Sequence, residues 1–251
     1  MREFVSPANV SIENFRYNGY RSYAEYNYLK PGFASKIKLW HFNMALELTA
    51  HIPQNATVID FGCCDGAFIP TLSKYFRHVI AVDTDETMVS IAKKVVEEMH
   101  LDNVEVLCNT GMTLAQSVAN IGGKHDVVYL LEVIEHCGEI DRPYPSRLEM
   151  LQELSKLSDN IVLSVPVMVG IPFLLQRIGF EILNVDSEEL SLKDLLTVGL
   201  FYNTDEVEKR WDHGHVGFDH RKLENVMDGP FEIVKKRSGF FQNVYHIKAI
   251  P

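Results

Sequence analysis

The chain has 251 residues, 46% of them hydrophobic and 23% charged, and a formal net charge of −10. That length suits one domain with room for a cap or an insertion. The acidic balance argues against a broad nucleic-acid footprint, which needs clustered Lys and Arg, and no apolar run reaches the roughly 18 residues of a membrane span.

The four cysteines, Cys63, Cys64, Cys108 and Cys137, follow no zinc-like or paired spacing, and no signal-like segment opens the chain. A reducing cytoplasm is therefore the expected location. Residues 1–33 concentrate aromatics, including Phe15, Tyr17, Tyr20, Tyr23, Tyr26 and Tyr28, and close at Pro31-Gly32. Such an arm either packs its rings on the domain or covers a cationic ligand with ring faces. Residues 34–51 read as a helix with Ile37, Trp40, His41, Met44 and Leu48 on one face, His41 being a packed side chain.

The next stretch, TVIDFGCCDGAF from Thr57 to Phe68, runs from β-preferring residues through a glycine turn into a helix carrying Phe68, Leu72 and Phe76. A strand, a glycine turn and a helix open a nucleotide-type α/β fold. Charge sets this loop apart. Asp60 and Asp65 lie in it, and Asp83 closes the second strand, His78 to Val82. Three carboxylates would repel a pyrophosphate. They suit a ligand bearing an ammonium group, a sulfonium and a ribose diol, which describes S-adenosylmethionine.

Asp60-Phe61-Gly62-Cys63-Cys64-Asp65-Gly66 resembles the first motif of the class I, Rossmann-like S-adenosylmethionine-dependent methyltransferases, with Cys64 standing where the family has its middle glycine. Later matches follow in the family's order over most of the chain from Thr57 onward. The resemblance implies an α/β fold with a doubly wound, mostly parallel seven-stranded sheet, its last strand antiparallel. It also implies cofactor contacts from Asp60, Gly62, Cys64, Asp65, Gly66, Asp83, Asn109, Thr110 and Glu132. Asp83 stands about 20 residues beyond the loop, where such folds place a carboxylate on a ribose diol; alternatively, Asp83-x-x-Glu86 is a helix capping box. A helix with Met88, Ile91, Ala92, Val95 and Met99 follows. Past a third strand, Val104 to Leu107, Asn109 or Thr110 would meet adenine, or would simply shape a turn with Gly111.

Asp126 to Leu131 is the fourth strand, and Glu132-Val133-Ile134-Glu135-His136 after it resembles the fourth motif of many small-molecule and sugar methyltransferases. Glu135 and His136 become the catalytic candidates, His136 as a general base; alternatively, the pair holds the loop through hydrogen bonds. A helix over 146–157 and a strand from Ile161 to Val165 come next, stopped by Pro166. Val167 to Ile182, with Ile171, Phe173, Leu174, Leu175 and Ile178, reads as an apolar lid helix over the substrate mouth, with a membrane-surface rest or a dimer contact as alternatives. Asp186, Glu188, Glu189, Asp205, Glu206 and Glu208 read as solvated helix faces. Trp211 to Asp219 carries His213 and His215, where relatives with the Glu-x-x-Glu-His string often show a His and an aromatic. A short helix, Arg221 to Met227, and strands at Phe231–Lys235 and Asn243–Ala249 complete the chain.

The resulting layout is an N-terminal arm and helix (1–52), a cofactor core (53–165), a lid insertion (166–218) and a final helix with two strands (219–251). The expected function is methylation of an oxygen on a small molecule, a sugar or similar metabolite, with no metal and no nucleic-acid partner; oligomeric state is left open. A second reading notes that Glu132, Glu135, His136 and His215 resemble the metal-ligand set of the small-RNA terminal 2′-O-methyltransferases, two carboxylates and two imidazoles suited to a divalent ion. A third is a non-catalytic, methyltransferase-like binding module.

Overall fold

The computed structural model describes residues 2–182 and 190–250, so Asp186, Glu188 and Glu189 lie outside the described residues. A π-helical turn (Glu25–Leu29) and helices α1 (Phe33–Lys38) and α2 (Trp40–Leu48) lead into β1 (Thr57–Phe61). Then follow α3 (Ile69–Tyr75), β2 (His78–Asp83), α4 (Glu86–Glu98), β3 (Val104–Cys108), α5 (Leu114–Ile121) and β4 (Val127–Leu131). A 3-10 turn (Ile134–His136), α6 (Pro143–Leu154) and β5 (Asn160–Pro166) come next. The insertion contributes α7 (Gly170–Ile182), α8 (Leu192–Gly199) and α9 (Asp205–Glu208), and α10 (His220–Met227), β6 (Phe231–Ser238) and β7 (Gln242–Ala249) finish the chain.

The seven strands lie in the order β3-β2-β1-β4-β5-β7-β6. β1 pairs parallel with β2 and β4, and β4 with β5, while β7 runs antiparallel between β5 and β6. The seven-stranded sheet and its antiparallel last strand agree with the expectation from sequence. Central parallel strands are covered on both faces, which is why β4 is an unbroken apolar run, VVYLL, with every residue buried. Strand alternation splits the core: Ile59, Val128 and Leu130 pack with Leu151 and Leu154 of α6. Val58, Val127 and Tyr129 pack with Leu46 and Leu48 of α2 and Leu72 of α3. The strand order reverses between β1 and β4, and a ligand crevice opens at the carboxyl ends of strands at such a reversal.

Local differences from the sequence reading have simple causes. The helix expected over 34–51 is interrupted at Leu39 into α1 and α2. α6 begins earlier than expected, at Pro143, because a proline's missing N–H costs nothing in a first helical turn. α5 was not anticipated, although Thr113 and Gln116 form a complete capping box at its start. The cap of α4 is Asp85, whose carboxylate accepts from the Thr87 and Met88 N–H groups, so Asp83 is not the capping residue.

Candidate functional site

The loop after β1 is shaped by backbone needs. Gly62 has φ +81°, and a Cβ there would lie 2.5 Å from Val133 Cγ2, so only glycine lets this turn approach the end of β4. Cys64, at the family's middle glycine, adopts φ +50°, a left-handed conformation costing a side-chain-bearing residue about 1 kcal/mol. Its N–H donates to Asp83 Oδ2 at 2.7 Å, while Asp83 Oδ1 accepts from the Thr84 and Asp85 N–H groups at 2.7 and 3.0 Å. The carboxylate at the end of β2 thereby holds the glycine loop.

Beside this loop is a cavity of about 220 Å³. Its wall includes the carboxylates Asp60, Asp65 and Glu132, the rings of Tyr23, Tyr28, Phe42 and Phe68, the loop residues Gly62 and Cys64, and His136. Asp60 and Asp65 are buried, and Asp60 Oδ2 and Asp65 Oδ1 find no hydrogen-bond partner among the described residues. Burial, with the Asp83 charge adding to it, pushes Asp60 up to about 7. Burial pushes Asp65 up to about 6 against the hydrogen bond from Ala24. Burial also raises Glu132, opposed by hydrogen bonds from Ser164 and Gln242. Buried carboxylates without partners are costly, and a cation entering the cavity would relieve that cost. Ring faces on the wall attract the same charge. These residues fit the ammonium and sulfonium groups of S-adenosylmethionine and oppose a pyrophosphate.

Not every expected cofactor residue lines this cavity. Gly66 (φ +85°) sits under it, where an added Cβ would be 3.1 Å from Ala92 Cα of α4. Asp83, Asn109 and Thr110 lie along the neighbouring strand ends. Asn109 is buried, its Oδ1 accepting from Asn120 and its Nδ2 without a partner among the described residues. The exposed Thr110 hydroxyl donates to the Thr84 carbonyl.

At the end of β4, Glu132 holds a left-handed φ of +56°, a strain of the kind that clusters at functional sites. Its N–H and its Oε1 both engage the Ser164 hydroxyl, at 3.0 and 2.8 Å. Glu135 is fully buried, and neither carboxylate oxygen has a hydrogen-bond partner among the described residues. Burial raises its pKa well above the usual range, and the Glu132 charge adds to the effect. The buried Arg147 of α6 clamps the turn: Nε donates to the Ile134 and Cys137 carbonyls at 3.0 Å and Nη2 to the Glu135 carbonyl at 2.9 Å. Its guanidinium lies 4.6 Å from the Trp211 ring centroid and 4.8 Å from that of Tyr144.

His136 and the 211–219 loop are joined directly. His136 Nδ1 meets the His213 carbonyl at 2.6 Å. A carbonyl only accepts, so Nδ1 carries the proton and Nε2 keeps its lone pair. Nε2 lies 3.0 Å from His215 Nε2, and Glu135 Oε1 is 3.9 Å from the first and 3.8 Å from the second. Burial lowers both imidazole pKa values, that of His215 to about 4 with the His136 and Lys38 charges adding to the effect. Both rings are therefore neutral near pH 7 and able to accept a proton or ligate a metal. Glu135, His136 and His215 place ligand atoms within 4.8 Å of one another; Glu132, the fourth member of the expected metal set, is not in that group.

Sequence reasoning singled out none of Phe42, Phe68 and Arg147 for the site, and it left Tyr23 and Tyr28 as two arm rings among several. Arg147 carried a signal: it falls on the apolar stripe Tyr144, Leu151, Leu154, where an unpaired cation needs a buried partner. The rings carried none, because an arm's aromatics look alike until the chain folds.

Residues 59–157 match the family described as "Methyltransferase domain". A ubiquinone biosynthesis O-methyltransferase of Bartonella quintana (strain Toulouse) is 24% identical over 99 residues, 39% of this chain and 38% of that protein. The chain thus spans less than half the length of that curated relative. Among solved structures, magnesium protoporphyrin IX methyltransferase from Synechocystis PCC 6803 with bound SAH has a TM-score of 0.57 and 19% identity, covering 88% of this chain and 89% of that one. The PH0226 protein from Pyrococcus horikoshii OT3 has a TM-score of 0.60 and 15% identity, covering 87% and 92%. The match over residues 59–157, the strand order and the shared fold agree: that stretch is similar to a methyltransferase domain, and the seven-stranded sheet has the Rossmann-like fold of these methyltransferase neighbours.

Proposed function

We propose that the chain moves the methyl group of S-adenosylmethionine to an oxygen of a small molecule. The observation that carries this reading is the cavity in which Asp60, Asp65 and Glu132 meet the rings of Tyr23, Tyr28, Phe42 and Phe68, with His136 on the same wall. Asp60, Asp65 and Glu132 would hold the cofactor's cationic groups, Asp83 its ribose diol, and Asn109 or Thr110 its adenine. When bound, the cofactor supplies an electrophilic methyl carbon on a sulfonium.

The chain's own residues then align the acceptor and exclude water, effects that reach ~7–11 kcal/mol in well-oriented systems. His136 Nε2, with its proton-bearing Nδ1 fixed on the His213 carbonyl, takes the acceptor's hydroxyl proton, worth typically ~10²–10⁴-fold. The insertion, with α7 and α8 packed on each other, serves as a lid over the acceptor's entrance. Four free cysteines support a reducing, cytoplasmic location. No helix among the described residues is long and apolar enough to cross a membrane. The test is release of S-adenosylhomocysteine over a panel of hydroxylated metabolites: turnover that His136→Ala removes supports the reading. Turnover undiminished by that change would remove the base.

A second reading is favoured by one observation, the convergence of Glu135, His136 and His215. Those three residues would hold a divalent ion, which would supply Lewis-acid activation of a hydroxyl. The Nδ1 contact of His136 to a backbone carbonyl is the outer support such ligands use. The charge of −10 weighs against an RNA acceptor. Titration with manganese or zinc, read by calorimetry on wild type and His215→Ala, separates this from metal-free transfer. Failure of the wild type to bind the cofactor would instead favour a non-catalytic module.

A further inference from the structure

A second cavity, of about 380 Å³, is bounded by Tyr202 and Asn203, just before α9, and by Arg221 and Asn225 of α10. No residue lines both this cavity and the methyl-transfer cavity. Its charges are already paired. Arg221 meets Asp219 twice, Nε to Oδ1 at 2.9 Å and Nη2 to Oδ2 at 2.6 Å. Lys222 meets Asp205 at 2.7 Å and Glu208 at 2.5 Å. Two cations thus face three carboxylates, so an anion finds no free positive charge and a cation finds every carboxylate bonded.

What the wall leaves over is hydrogen-bonding capacity and one ring. Asn203 Oδ1 accepts from the Asp205 N–H at 2.9 Å, but Asn203 Nδ2, both ends of the Asn225 amide and Arg221 Nη1 make no hydrogen bond among the described residues. Tyr202 holds a left-handed φ of +55°, a conformation that a bulky residue adopts only under constraint. Two contacts impose it. Arg221 Nη2 donates to the Tyr202 carbonyl at 2.5 Å, and the ring is seated on bare backbone at Gly170, where a Cβ would lie 2.6 Å from it. The residue is nevertheless 46% exposed, so a fixed aromatic surface stays open beside the free amides.

We propose that this cavity is a second ligand site, separate from methyl transfer, and that it takes a neutral sugar. A hydroxyl both donates and accepts, so a sugar can use the amide groups, Arg221 Nη1 and the spare lone pairs of paired carboxylates together. A simple ion cannot. The apolar C–H face of the sugar ring lies on Tyr202, and the amides of Asn203 and Asn225 fix its orientation.

The experiment is saturation-transfer NMR on the full chain with glucose, maltotriose and cellotriose, beside glucuronate and glucosamine as charged counterparts of glucose. Wild type is compared with Tyr202→Gly, which removes the ring while suiting the left-handed backbone, and with the exposed Asn225→Ala. At least one neutral sugar is expected to bind wild type with a millimolar Kd and to bind each variant about fivefold or more weakly. No neutral sugar bound at concentrations up to about 10 mM, or affinity unchanged in either variant, overturns the site. Glucuronate or glucosamine binding more tightly than glucose overturns its neutral character.

Discussion

The Ala24 N–H donates to Asp65 Oδ2 at 2.6 Å, across 41 positions of sequence. Through this bond the N-terminal arm grips the glycine loop after β1. One oxygen of Asp65 serves the arm, and the other, Oδ1, has no partner among the described residues. Further bonds tie the arm down: Val5 to Thr71 at 2.9 Å and Arg2 to the Thr49 carbonyl at 2.9 Å.

Asp65→Ala should therefore weaken S-adenosylmethionine binding and loosen the arm together. A hydrogen bond to a charged group is worth about 1.5–3 kcal/mol, so a loss near that size is expected by calorimetry, along with faster limited proteolysis before residue 30. Asp65→Asn keeps an acceptor for Ala24 and should lose cofactor affinity while the arm stays protected. Equal protease sensitivity in the two variants would separate arm from loop.

The pH dependence follows from the sign of the shifts. Asp60 and Asp65 have folded-state pKa values raised to about 7 and about 6 from 3.8. For a raised carboxyl the penalty on folding is absent below the unfolded pKa and complete above the folded one. These two groups thus favour the ligand-free protein near pH 5 over pH 8. The cationic cofactor prefers the ionised forms, so its affinity should fall about tenfold from pH 8 to pH 5.5. Affinity that holds level, or rises, on acidification would contradict the assignment.

Arg147→Met should cost about 3 kcal/mol, read as a lowered urea midpoint. The Ile134, Glu135 and Cys137 carbonyls would lose a charged donor. Turnover should fall as well, because the turn carrying His136 is released. A stable but inactive variant would mean that Arg147 touches the reaction more directly.

The strand pattern and the glycine loop were legible because both are local. Strand β4 is apolar throughout, and Gly62 and Gly66 stand where the backbone must turn left-handed. The convergence of His136 with His215 spans 79 positions, and only the sheet order brings the two together. The capping alternative for Asp83 falls only once the fold shows Asp85 at the cap. The Tyr23 and Tyr28 wall depends on how the arm folds back, which no short-range pattern encodes.

Two substitutions divide binding from chemistry. Asp83→Ala should abolish most cofactor affinity, since it removes both the proposed ribose acceptor and the anchor of the Cys64 N–H. His136→Ala should lower turnover by about 10²-fold or more with cofactor affinity nearly intact. The reverse pattern in calorimetry and steady-state rates would exchange the two roles.

The most direct measurement is a calorimetric titration of the purified chain with S-adenosylmethionine, set beside nicotinamide and flavin nucleotides. Saturable uptake of the sulfonium compound is expected, lost in Asp83→Ala, with no heat from the phosphate-bearing nucleotides. Binding of a dinucleotide with S-adenosylmethionine ignored would contradict the claim that the carboxylates at the ends of β1, β2 and β4 select a cation.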